Sequence, residues 1–174
     1  MAADTSFQPI AGLTEAIATL KALPDKLRKR ALRNALAAGA RLVRDAAKTK
    51  APILSASSPA VLKGWRKPGT LKKAITVRTS KQARRQGNVG VFVNVRPAKG
   101  AVFRKGKQVK ESQRGAKSPN DPFYWRFVEF GTKRAPERKF LQAGAQQLGQ
   151  ALDAFQKAMR VAIAKINANP RANP

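Results

Sequence analysis

A chain of 174 residues fits one domain of ordinary size, and we take residues 1–174 as a single unit. Its 36 Lys and Arg against nine Asp and Glu give a formal charge of +27. Such self-repulsion gains a free monomer nothing, so the charge implies an acidic partner: nucleic acid, an anionic membrane, or acidic protein neighbours. Cysteine and histidine are both absent, which excludes thiol nucleophiles, disulfides, the usual zinc ligands and the commonest general base.

Residues 1–11 read as a flexible lead-in without the charged-then-apolar order of a signal peptide. Leu13, Ile17 and Leu20 stand at helical spacing, predicting a short helix over residues 12–22 that Pro24 breaks. Pro24 and Asp25 suit the first turn of a second helix, because proline lacks the orphan donor and the carboxylate meets the positive end of the dipole. That helix is expected over residues 24–50. Leu27, Ala31, Ala35, Ala38, Leu42 and Ala46 form its apolar face, widened by Leu32, Leu36 and Val43. Arg28, Arg33, Arg41, Arg44 and Lys48 take the rest, and Pro52 ends it.

Residues 53–69, rich in Ser, Pro and Gly, read as a loop whose Trp65 docks on the body or on a neighbour. Residues 75–79 and 89–95 alternate apolar and polar, predicting two antiparallel strands joined around Gly87-Asn88. Residues 98–120 form a basic insertion, either a small hairpin turning at Lys105-Gly106 or a disordered stretch. The aromatic block that follows, residues 122–130, is a short helix closed by Gly131 or, in competition, a strand. A final helix is expected over residues 140–168. Its buried stripe would be Leu141, Ala145, Leu148, Leu152, Phe155, Met159, Ala162 or Ile163, and Ile166, followed by a loose tail over residues 168–174. No apolar run reaches the 18 residues that a membrane span needs.

The nine acids are scattered and build neither a metal cluster nor a carboxylate pair, and no phosphate-binding loop of the Walker type is present. We expect no enzyme and no cofactor. Residues 51–119 carry 17 basic side chains and one acid, so the positive field is concentrated there. Lys and Arg of this kind neutralise phosphates without reading sequence. Arg104, Lys105, Lys107, Lys110 and Arg114 are the candidate contacts with a polyanion or an acidic neighbour. The second candidate surface is aromatic: Trp65, Tyr124, Trp125, Phe127 and Phe130, with Glu129 among them. That glutamate is expected either to cap or bridge within the subunit or to bridge to a neighbouring one.

The order of segments carries a resemblance. LRNALAAGARLVRDAAKTKAP precedes GTLKKAITVRTS, then NVGVFVNVR, then DPFYWRFVEFGTKRAPERKFLQAG and a closing helix. This order resembles the head–tail connector or tail-completion proteins of lambda-like siphoviruses over about residues 13–165. The most specific part is FVEFGT at 127–132, followed by Pro136 and KFL at 139–141; Lys139 stands where that family often has proline. The resemblance implies an α+β fold, a small antiparallel sheet packed by two long helices, with extended loops that order in a ring. It implies a structural virion protein, assembled in the host cytoplasm: a ring subunit of the neck, a hexamer by expectation, that completes the tail and joins it to the DNA-filled head. The expected partners are neighbouring neck and tail-terminator proteins and, through non-specific phosphate contact, genomic DNA in the channel, with no membrane. The competing reading, resting on charge alone, is a free sequence-nonspecific nucleic-acid-binding protein.

Overall fold

A computed structural model describes residues 25–97, 103–104, 107–108 and 119–168. The expected helix at 12–22, the lead-in at 1–11 and the tail beyond 168 lie outside these residues. The fold is α+β: two long helices pack against a two-stranded antiparallel sheet.

Helix α1 runs over Asp25–Lys50, and Pro24, its expected first residue, lies outside the described residues. The Asp25 carboxylate pairs with Arg28 and with Lys29, the latter at 2.6 Å. Its hydrogen bond with Lys29 comes first among the causes that hold it below the ordinary carboxylate value. The buried residues of α1 are Ala31, Ala35, Gly39 and Ala47. They step by fours and then eight along one ridge, with half-buried Val43 in the gap. This ridge corrects the expected stripe: Leu42 is exposed and Ala38 and Ala46 only half-buried. The reason is close approach. A Cβ on Gly39 would stand 2.4 Å from the Ala151 carbonyl oxygen, and one on Gly144 would stand 2.7 Å from that of Val43. Backbone packs on backbone here, and only small residues fit the seam.

The loop at 53–69 contains a single-turn helix, α2, Pro59–Leu62, and helix α3, Thr70–Ala74, runs directly into strand β1, Ile75–Thr79. Strand β2, Val91–Val95, pairs with β1 in the register Ile75↔Val95, Val77↔Val93 and Thr79↔Val91. The strands are not joined by a simple turn at Gly87-Asn88. Helix α4, Lys81–Arg85, intervenes. The Ser80 hydroxyl caps it by accepting from the Ala83 N–H at 3.1 Å. Ser80 N–H also donates to Gly90 O at 2.8 Å, one step beyond the Thr79↔Val91 pair, and β2 starts at Val91, two residues later than expected. In the basic insertion, β3, Phe103–Arg104, and β4, Lys107–Gln108, pair as an antiparallel hairpin, the first of the two expectations.

The aromatic block is helical: α5, Trp125–Phe130, ends at Gly131. The single closing helix is in fact two, α6, Phe140–Ala145, and α7, Leu148–Ala168. At the break, Gln147 N–H donates to Gly144 O three residues back, tightening the last turn. The phase shifts accordingly. Ala151 and Met159 are buried, whereas Leu148 and Leu152, expected in the stripe, are 63% and 41% exposed. The core joins these pieces through Ala47, Ala51, Leu71, Ile75, Val95 and Phe140. Among the described residues no helix is long and apolar enough to cross a membrane.

Candidate functional site

The FVEFGT segment is a folding device that leaves aromatics outside. Lys139, the residue before α6, lies at φ 43° and contributes no side-chain cap. The cap comes from ten residues upstream of it. Buried Glu129 accepts from Leu141 N–H through Oε2 at 2.9 Å and from Gln142 N–H through Oε1 at 3.1 Å. The negative charge thus sits at the positive end of α6 and satisfies two of its orphan donors. Gly131, at φ 74°, is obligatory: a Cβ would lie 2.9 Å from the Glu137 nitrogen and 3.1 Å from Ala135 O. Thr132 closes the turn, its Oγ1 accepting from Arg134 and Ala135 N–H at 3.2 and 3.1 Å. The chain then returns along α5, with Arg138 N–H donating to Val128 O and Lys139 N–H to Glu129 O. Proline cannot occupy position 139, because its ring fixes φ near −65°.

With the corner so held, Phe127 is 56% and Phe130 is 72% exposed, while Val128 packs inward. Tyr124 and Trp125 are half-buried against the core. Phe123 meets Tyr124 edge to face with centroids 5.8 Å apart, and the Arg66 guanidinium lies over both rings at 4.8 and 5.8 Å. Burial pushes the Tyr124 hydroxyl above its ordinary value, against the opposing effect of Arg66. Trp65 stands apart in the 53–69 segment, 62% exposed, its ring covered by the Lys63 ammonium at 5.0 Å. The expected docking of Trp65 on the body of the subunit is therefore not what the fold shows.

Of the basic candidates, the backbone places Arg104 and Lys107 opposite one another across the hairpin. Lys105, Lys110 and Arg114 lie outside the described residues. The sequence reading passed over a denser cationic arrangement on α1. Between α1 and β1 runs an open furrow of 410 Å³, lined by Arg33, Arg41, Arg44, Lys48 and Arg78. On the other flank, toward β2, α6 and α7, lies an apolar groove of 490 Å³ lined by Leu36, Val43, Phe92, Leu148, Leu152 and Phe155 among others. The signal for the furrow was present in the helical spacing of the α1 cations, which a count of charge per segment does not register. Among the described residues, no group of three or more His, Asp or Glu could hold a metal ion.

Residues 14–131 match the model of a protein family described as "Bacteriophage HK97-gp10, putative tail-component". The match covers more than half of the chain and takes in α1 through α5, ending on the obligatory Gly131. The chain belongs to this HK97-gp10-like family and is a phage tail-related structural component. Such membership points to a virion protein with a non-enzymatic role among other virion proteins. Neither the curated proteins nor the solved structures contain a match.

Proposed function

We propose that the chain, folded as one domain, is a ring subunit of the phage neck that completes the tail and joins it to the DNA-filled head. The observation that carries the reading beyond family membership is the aromatic side chains left in water, Phe127 and Phe130 on a rigid corner and Trp65 apart from it. Phe130, Trp65 and Phe127 are each more than half exposed. An isolated subunit gains nothing from exposing them, whereas aromatic anchors are what a subunit interface buries. In this reading Trp65, Tyr124, Trp125, Phe127 and Phe130 meet a neighbouring copy, and Glu129 keeps their corner in shape. A head-to-tail contact of unlike surfaces closes into a ring when its rotation allows, a hexamer being the expectation. Arg104, Lys105, Lys107, Lys110 and Arg114 would then face the DNA channel or an acidic neighbouring ring of neck or tail-terminator protein, within virions assembled in the host cytoplasm.

The test is made in particles. Phage whose copy of the chain carries Arg104→Glu, Lys107→Glu and Lys110→Glu should accumulate separate heads and tails. Imaging of wild-type virions should show a ring of the chain between head and tail tube. Normal yield from the mutant, or a chain spread along the tail tube, would overturn the neck assignment.

A further inference from the structure

The structure assigns a second polyanion site, distinct from the basic hairpin. We infer that the furrow between α1 and β1 binds the phosphodiester backbone of duplex DNA.

The furrow between α1 and β1 continues at one end into a smaller hollow of 100 Å³, which adds Lys29 and Arg84 and shares Arg33 and Thr79 with it. Seven cations thus line one continuous surface, and no acid lines it. On a helix of 3.6 residues per turn, Lys29, Arg33, Arg41, Arg44 and Lys48 fall within about a third of the circumference. Lys29 to Lys48 spans about 29 Å at 1.5 Å per residue. One strand of duplex DNA presents a phosphate about every 3.4 Å along its axis, and because the strand winds, a straight row of that length meets only the few phosphates on its own side.

Two bland readings compete. A solvated helix face normally mixes signs at i,i+4 spacing. Here α1 has two acids, Asp25 in its first turn against Arg28 and Lys29, and Asp45 between Arg44 and Lys48, paired with Arg44 at 2.8 Å. The long middle of the face has none. Cations beside an edge strand also discourage strand pairing. That accounts for Arg78 on β1, but not for the row on α1. Five of the seven cations, Arg33, Arg41, Arg44, Arg78 and Arg84, carry the planar guanidinium fork that matches phosphate oxygens two at a time. Like charges held side by side in a concave surface repel, and a polyanion relieves that repulsion. An acidic protein would relieve it as well. The length of the run and its arginine-rich make-up favour the extended charge of a phosphate backbone.

The inference does not rest on the ring assignment, because the full-length chain can be tested alone. Binding to a fluorescent duplex of about 24 base pairs is followed by anisotropy over a salt series. Arg33→Gln, Arg41→Gln and Arg78→Gln are combined, all three being exposed. The expected result is a loss of about tenfold or more in affinity. The slope of log affinity against log salt should shrink by about 2–3, at about 0.9 per phosphate contact. The corresponding Arg→Lys triple should keep the slope, since it keeps the charge. Lys105→Gln, Lys107→Gln and Lys110→Gln combined should lose less affinity than the furrow triple. Four results would overturn the inference: no duplex binding in low salt; the larger loss falling on the hairpin triple; a slope lost equally in the lysine triple; or displacement of the duplex by polyglutamate of equal charge, which would make an acidic protein the occupant.

Discussion

The two flanks of α1 use one helix for opposite purposes. Toward α6 and α7, its residues are small and backbone meets backbone, with Gly39 against Ala151 and Gly144 against Val43. Toward β1, its residues are long and cationic, and the surface stays open. The first arrangement contributes stability through close packing at the seam, beside which the apolar groove stays open. The second contributes little or nothing to stability, and its repulsion weakens the compact state slightly. A helix can do both because its ridges and its charges sit on different sectors of the same cylinder. In this chain, therefore, the residues that hold the fold and those that meet an anion are separable by mutation.

The largest effect should come from the cap that seats α6 on the packed flank. Glu129→Ala removes a buried carboxylate that accepts two backbone N–H bonds at 2.9 and 3.1 Å. Hydrogen bonds to a charged group contribute about 1.5–3 kcal/mol each, and the abandoned donors add a desolvation cost. A loss of about 3 kcal/mol in chemical unfolding is expected. A loss under about 1 kcal/mol would mean that water replaces the carboxylate, and that the corner does not depend on it. Next comes Gly39→Ala. In an exposed helix interior this change stabilises by about 1 kcal/mol. Here the new methyl would stand 2.4 Å from a carbonyl oxygen, and overpacking of that kind costs about 1–3 kcal/mol. The net expectation is a loss of about 1 kcal/mol, and a gain in melting temperature would show that the seam is looser than the structure has it.

How far these features were legible in the sequence follows from the range over which each is determined. The body of α1 and the antiparallel pairing of residues 75–79 depend on helical spacing and on period-two alternation, and both were readable, although the partner strand was expected from residue 89 and starts at Val91. The α1 ridge was misplaced because hydrophobicity ranks Leu42 above Gly39, whereas the seam selects for the absence of a side chain. Helix α4 between the strands was missed because five residues, Lys81–Arg85, carry too little periodicity, although Ser80 as its cap was a usable sign. The break at Gln146 and Gln147 has neither proline nor a capping residue to announce it; it arises where α6 and α7 each press on α1. Glu129 was recognised as an acid that needed partners. Its two donors lie 12 and 13 residues away, a separation that no local pattern encodes. The furrow was missed for a related reason: its far wall, Arg78 on β1 and Arg84 on α4, is brought beside the five α1 cations only by the tertiary fold.

The smallest effect should fall on the cationic flank, where Asp45 is hydrogen-bonded to the furrow residue Arg44. That hydrogen bond, ahead of the charges of Arg44, Lys48 and Arg41, holds the Asp45 carboxyl below its ordinary value of 3.8. A carboxylate depressed in the folded state adds stability above its unfolded value and loses it as pH falls through the folded one. Wild-type melting temperature should therefore fall slightly faster than that of Asp45→Asn as pH drops below 3.8. The difference should be small and should fade with salt, because the carboxylate is 55% exposed. The same substitution removes a negative charge from beside the furrow. At neutral pH, Asp45→Asn should thus tighten duplex binding while leaving stability unchanged or slightly reduced. Weaker binding would show that Arg44 needs Asp45 to aim it, and that the two flanks are less independent than their geometry suggests.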